Sequence, residues 1–372
     1  MLASRKGGFG ASATCTLLGI LAAVLALPPA LGQPKVALSP AAKAAQEREE
    51  AVKTLELKFK RTEVIAKGGV SARDPPPLRP KFPVPDQETT LAATNRLVLD
   101  GLKFRYEDNH PVFVFPEARL HKHAAITWYD GSVSRELMPN EIKKGMGQFG
   151  TIHGSGRAND LKGIELLPLL LTFRPVHPLL GNSRFSTLKP SGVTLPIEGV
   201  SCEEYVVTTS ATKEQGYWLD PSKGYVVRRI RREVGGHVGE QIDVRYGREE
   251  QGIPIPTSWV RRQYSPQGEV LTTTTFEVSE VRINQPQAAE EFDMLFPPAT
   301  KVYDQRNNKF YRVEADGTMR EVSIRGEELG PSVSQPGDSW YRRNTWLLVS
   351  VGVALLGLLS AYVWRRKRRV IS

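Results

Sequence analysis

Hydrophobic and polar positions alternate along most of this chain, and the few stretches that break the alternation set its organisation. Residues 40–53 are rich in helix formers and open at Ser39-Pro40, with proline in the first turn of a predicted helix. The period then changes. Leu55, Leu57 and Phe59 alternate with Glu56, Lys58 and Lys60, as in a half-buried strand. Residues 95–106 hold two alternating runs joined at Gly101, which reads as a bulge or kink. Ile126–Tyr129 and Ser132–Leu137 flank Asp130-Gly131, a pair suited to the positive φ angles of a hairpin turn. Residues 139–171 interrupt the strands with a short helix at 139–144 and an apolar one at Asp160–Leu171, limited by Pro168.

The pattern is clearest over residues 200–283. Val200–Thr208, Gly216–Leu219, Tyr225–Arg232, Glu240–Tyr246, Thr257–Tyr264 and Val270–Val281 alternate between short turns such as Asp220-Pro-Ser-Lys-Gly224 and Ser265-Pro-Gln-Gly268. Connections this short imply an antiparallel meander, because parallel neighbours need long crossovers. Phe310–Val313 and Thr318–Val322 suggest one more small hairpin. The fold class is α+β: a curved antiparallel sheet of about ten strands with helices against it.

The two ends follow other rules. Thr345–Trp364 carries no charge, and about 20 such residues cross a bilayer core of roughly 30 Å as a helix. Trp346 at one end and Tyr362 and Trp364 at the other suit the headgroup layer. Arg365, Arg366, Lys367, Arg368 and Arg369 follow at once, so the C-terminus is expected in the cytoplasm and the bulk of the chain outside. At the N-terminus, Arg5 and Lys6, the apolar Leu17–Leu27 and Ala30-Leu31-Gly32 read as a cleavable secretory signal; an uncleaved signal-anchor is the alternative.

Charge changes this picture little. The net charge is +10, yet residues 33–341 hold 41 cations against 40 acids. The excess belongs to membrane targeting, and no nucleic-acid partner is expected. Cleavage would leave Cys202 as the one cysteine, read as a buried, inert thiol on a strand. Asp74–Pro85 holds six prolines and reads as an exposed insertion or stiff connector. Residues 326–340, rich in Gly, Pro, Ser and acids, read as a flexible tether.

Catalytic motifs are missing. No Gly-x-Ser-x-Gly, His-Glu-x-x-His or phosphate loop occurs, and the histidines, His121-Lys-His123 among them, lack a set of partner ligands. Neither an enzyme nor a cofactor or metal is expected. The aromatic residues say more. Phe104, Tyr106, Trp128, Tyr205, Trp218, Tyr225 and Trp259 all fall on predicted strands. Under a flat sheet they are plain core; in a curved, incompletely closed sheet they line an apolar trough suited to an acyl chain. An open trough leaves at least one of Trp128, Trp218 and Trp259 accessible. Arg228, Arg229, Arg231 and Arg232 share one strand, so two of them face inward. Arg228, Arg232 and Arg261 then either meet a lipid phosphate or pair with acids such as Glu240 and Asp243 on the next strand.

The order of these elements resembles the LolA/LolB/LppX-like half-barrel superfamily of bacterial envelope proteins, across residues 41–304. The resemblance rests on the leader and helix, the strand Leu55-Glu-Leu-Lys-Phe59 and the strand–Asp220-Pro-Ser-Lys-Gly224–strand unit. It rests also on the closing Phe292-Asp-Met-Leu-Phe296-Pro-Pro-Ala-Thr-Lys-Val302. It implies an outer-membrane lipoprotein-sorting-like domain, here with a C-terminal membrane anchor. The expected partition is a signal peptide 1–32, a helical lead-in 33–53, a half-barrel 54–305 with insertions at 74–85 and 139–171, a hairpin and tether 306–344, a transmembrane helix 345–364 and a basic tail 365–372. The expected role is that of an inner-membrane protein facing the periplasm or cell exterior. It would bind a lipid or lipidated protein, as carrier or sensor. An envelope interaction or structural protein with a dry-packed sheet is the alternative.

Overall fold

The computed structural model describes residues 39–73, 82–114, 119–138, 147–153, 163–175, 177, 180, 185–210 and 213–333. The expected signal peptide, membrane span with Trp346, Tyr362, Trp364, Arg365 and Arg366, and the short helix at 139–144 lie outside them. Among the described residues no helix is long and apolar enough to cross a membrane.

Strand β1 (Thr54–Ile65) is the hinge of the architecture. On one side it pairs with β2 (Thr89–Asp100), which continues through β3 (Lys103–Asp108), β6 (Ala125–Tyr129), β7 (Ser134–Met138) and β8 (Phe149–His153). Its other side pairs with β15 (Val270–Ile283). From β15 the order runs back through β14 (Ile253–Tyr264), β13 (His237–Glu250), β12 (Val226–Val234), β11 (Lys213–Asp220), β10 (Val200–Ser210) and β9 (Lys189–Ile197). Beyond β8 come β16 (Lys301–Asp304), β17 (Lys309–Val313), β18 (Met319–Val322) and β19 (Glu328–Val333). The sheet has 17 strands among the described residues, more than expected. β8 and β16 run parallel, and the other pairs are antiparallel. A separate hairpin joins β4 (Val112–Val114) to β5 (Arg119–His121).

Local chemistry explains the joints. Asp100 pairs with Lys103, so Gly101 (φ +54°) and Leu102 form a two-residue turn between β2 and β3 instead of the expected bulge. The Asp220 carboxylate accepts from the Ser222 amide at 3.0 Å and hydroxyl at 2.6 Å, which closes the turn between β11 and β12. At β8, a Cβ on Gly150 would lie 2.5 Å from the Phe296 ring, so the ring packs where a side chain at this position would stand. The end of the proline-rich run is anchored: Val84 is buried and its carbonyl accepts from the Val70 amide at 2.9 Å. Part of the expected tether, Glu328–Val333, is strand β19.

Two helices lie on one face of the sheet. Helix α1 (Pro40–Ala51) buries Ala41, Ala42 and Ala45. Helix α2 (Gly163–Phe173) packs against α1, β12 and β14. The main core joins both helices to Leu55, Leu57 and Phe59 of β1 and to residues of β2, β3 and β10–β15. A second core gathers Trp128, Leu137, Ile152, Phe296, Val302 and Tyr311 where β6–β8 meet β16–β18.

Candidate functional site

The site is the inner face of the sheet and the helix that fills it. Helix α2 reads Gly-Ile-Glu-Leu-Leu-Pro-Leu-Leu-Leu-Thr-Phe, apolar on all sides except at Glu165 and Thr172. A helix without a polar face must be buried, and Leu166, Leu167, Leu169, Leu170, Leu171 and Phe173 all are. Beneath it, the Trp259 ring stacks on Phe276 with centroids 4.7 Å apart, and Phe59 tilts against Trp259 at 5.3 Å.

Polar contacts hold α2 at its two ends. At the N-terminal end, Trp259 Nε1 donates to the Glu165 carbonyl at 3.0 Å. The Glu165 carboxylate bridges two strands, accepting from Arg61 Nη1 of β1 at 3.0 Å and Arg261 Nη1 of β14 at 2.8 Å. At the C-terminal end, Thr172 Oγ1 meets the Tyr246 hydroxyl at 2.9 Å, and Arg48 Nε donates to the Thr172 carbonyl at 3.2 Å. Arg174, just past the helix, donates to the carbonyls of Gly101 (2.9 Å), Val52 (2.7 Å), Phe173 (2.8 Å) and Lys53 (2.8 Å). Burial pushes the Tyr246 hydroxyl up to about 12, so it stays neutral.

The N-terminal end is a cluster of buried charges. Arg61 also donates to Glu63 at 2.8 Å and lies 3.9 Å from Asp108. Burial opposes the Arg61 charge, but Glu165, Glu63 and Asp108 together hold its pKa above the ordinary value. Asp108 is met by His110 Nδ1 at 2.7 Å and Asn95 Nδ2 at 3.2 Å. Beside the cluster is a cavity of about 300 Å³, lined by Arg61, Glu63, His110, Phe113, Glu165 and Arg261 among others. No group of three His, Cys, Asp or Glu side chains among the described residues is placed to hold a metal.

The structure brings some of the expected lining together and separates the rest. Phe104, Tyr106, Tyr205 and Trp259 belong to the main core, and Tyr225 packs against it. Trp128 points away from that core, toward Phe296 at 5.3 Å, while its neighbour Tyr129 packs against it. Trp218 is likewise on the opposite face, with Ile197 and Cys202 beneath Arg231, because Tyr217 and Leu219 take the inward positions of β11. The expectation that one of Trp128, Trp218 and Trp259 stays accessible is therefore corrected: they are 0%, 5% and 0% exposed. Helix α2 covers Trp259, whereas Trp128 is closed in with Phe296 and Trp218 with Ile197 and Cys202 beneath Arg231.

The arginines take the pairing alternative. Arg228 donates to Asp220 at 3.1 and 3.0 Å, and Arg232 meets Glu240 at 2.9 Å. Arg261 is shared between Glu240 and Glu165, and Arg229 donates to Asp243 at 2.6 Å. Sequence reasoning missed Arg61, Glu165 and Arg174. Two of them carried a signal: Arg61 continues the inward series Leu55, Leu57, Phe59, and Glu165 is the one charge in an apolar helix.

Cys202 is fully buried and its thiol is pushed up to about 11, first by burial and then by Asp220. Alkylation of Cys202 by iodoacetamide at pH 8, followed by mass spectrometry of its peptide, should be negligible in the folded chain and rapid in denaturant. Ready labelling of the folded chain would contradict this packing.

The chain is similar to several solved structures over 68% of its length. A domain from Vibrio parahaemolyticus named for outer membrane lipoprotein sorting is similar at 9% identity, over 68% of this chain and 94% of that one, with a TM-score of 0.42. A LolA superfamily protein from Nitrosomonas europaea matches at 9% identity over 68% and 96%, with a TM-score of 0.36. The likeness is one of fold. It does not reach the side chains described above. A DUF1329 family protein from Desulfovibrio piger matches at 9% identity over 68% and 95%, with a TM-score of 0.34. No family profile matches the chain, and no curated protein matches it in sequence.

Proposed function

We propose that this chain is a membrane-tethered envelope protein that binds one long apolar chain, of a lipid or a lipidated protein, on the inner face of its sheet. The binding is non-catalytic, as in a carrier or sensor. The observation that carries the reading is α2: an apolar helix, polar only at its two fastened ends, lying on an aromatic floor. Five buried leucines contribute about 1.5–3 kcal/mol each, so the helix body is held by roughly 10 kcal/mol of burial. An acyl chain of about fifteen methylenes at ~0.8 kcal/mol each offers a similar sum. Helix and acyl chain are thus near-equal competitors for one trough.

Chloroform–methanol extraction of the purified full chain, read by mass spectrometry, should yield a lipid or fatty acid in near-stoichiometric amount. A chain that is empty and takes up no added lipid would defeat the proposal. The dry-packed alternative is favoured by the closed stack of Phe59, Trp259 and Phe276 under α2. The tether has its own test. A reporter fused after Ser372 should be cytoplasmic and one inserted near Asp338 external. The tether reading fails if both report the same side.

A further inference from the structure

In the structure Glu165 does what the head of a bound ligand would have to do. It projects from the end of an apolar rod, and its two oxygens reach different strands, Oε2 to Arg61 at 3.0 Å and Oε1 to Arg261 at 2.8 Å. Both guanidinium groups are largely buried, at 4% and 13% side-chain exposure, so water does not readily replace the carboxylate. The Arg61 Nε, also buried, has no acceptor. The cavity at this end gives the cluster room beyond the helix. We infer that the trough selects a long-chain amphiphile with one anionic head, a carboxylate or a phosphate monoester, which takes the place of Glu165 between Arg61 and Arg261 while its tail replaces the body of α2.

The two guanidinium groups that hold Glu165 favour an anionic head over a neutral or cationic one. With α2 seated, Arg61, Arg232 and Arg261 face Glu63, Asp108, Glu165 and Glu240, with His110 on Asp108. Withdrawal of α2 removes one carboxylate and leaves two buried N–H donors without acceptors. An anionic head with two oxygens restores both bonds: a carboxylate also returns the charge that Glu165 took away, and an alkyl phosphate, at about −1.5 to −2 near pH 7, more than returns it. A neutral alcohol supplies one oxygen and no charge, and a cationic head would face two guanidinium groups. The inference rests on the trough reading above, and the experiment separates the two.

The full chain in dodecyl maltoside micelles would be exposed to three C16 probes carrying a photoreactive diazirine in the tail: the carboxylic acid, the alkyl phosphate and the alcohol. Labelling of peptides from β1 and β14 is read by mass spectrometry. The acid or the phosphate should label these strands at least about tenfold more than the alcohol, since charge-assisted bonds from two guanidinium groups separate them. The preferred head also tells a fatty acid from a phospholipid-derived ligand. Arg261→Gln should bring the anionic probe down to the level of the alcohol, provided circular dichroism shows the sheet intact. Glu165→Gln weakens the helix's own grip and should raise labelling by the acid above that of the unaltered chain. Equal labelling of the trough by acid, phosphate and alcohol would overturn the head-group inference and leave the trough standing. Anionic labelling unchanged in a folded Arg261→Gln chain would overturn it too. No labelling by any probe would remove both.

Discussion

Replacing Trp259 by alanine is expected to destabilise the full chain by about 3–5 kcal/mol, the range for a fully buried aromatic side chain. The ring is 0% exposed, stacked on Phe276 at 4.7 Å, and its Nε1 holds the Glu165 carbonyl. Three losses coincide: the apolar area, the ring stack and a satisfied buried carbonyl. Guanidinium unfolding followed by circular dichroism measures the sum. Trp218→Ala should cost less, because that ring covers only the small Ile197–Cys202 cluster beneath Arg231. A Trp259→Ala chain that lost under about 1 kcal/mol would show that the trough floor is not packed against α2.

The second large effect is expected at Arg174. Its guanidinium is 1% exposed and donates to four backbone carbonyls, which tie the end of α2 to the start of β1 and the turn between β2 and β3. Burial pushes its pKa below the ordinary arginine value, although Glu49 and Asp100 act the other way. Its value is therefore geometric: a planar fork reaches several acceptors at once. Arg174→Met takes one donor from each carbonyl. The Lys53 carbonyl keeps the Gly101 amide at 3.1 Å, and each of the others that water cannot reach costs about 1–3 kcal/mol, so a loss of ~4 kcal/mol is expected. Arg174→Lys keeps the charge but not the fork and should recover less than half. Recovery of full stability by lysine would show that charge alone matters there.

The sequence was legible where structure is local. The strands from 200 to 283 and the Asp220–Gly224 turn occur with ends within a few residues of those expected, because each depends on a nearby period or turn residue. A turn also forms at Asp130-Gly131, but Tyr129 pairs with Ser134, so it is longer than the two-residue turn expected. The helix over Asp160–Leu171 occurs as Gly163–Phe173. What joins distant segments was not legible. Leu55 pairs with both Leu99 and Ile283, and Lys301 runs parallel to Phe149; no periodicity in one strand names its partner in another. The trough was half legible: alternation placed Tyr205 and Trp259 inward, but the same rule turned Trp218 outward beside inward Tyr217. The polar contacts of α2 depend on Arg61, Glu165 and Arg174, which meet only after the sheet has folded around the helix.

The most direct test of the account is amide hydrogen exchange across Leu166–Phe173 in the full chain, with and without saturating palmitic acid. If α2 holds the place of an apolar ligand, its amides should exchange at least about tenfold faster once the acid occupies the trough, while β10–β14 keep their protection. Unchanged protection of α2 at saturating acid, in a chain from which no lipid can be recovered, would contradict the account and leave α2 as a fixed part of the core.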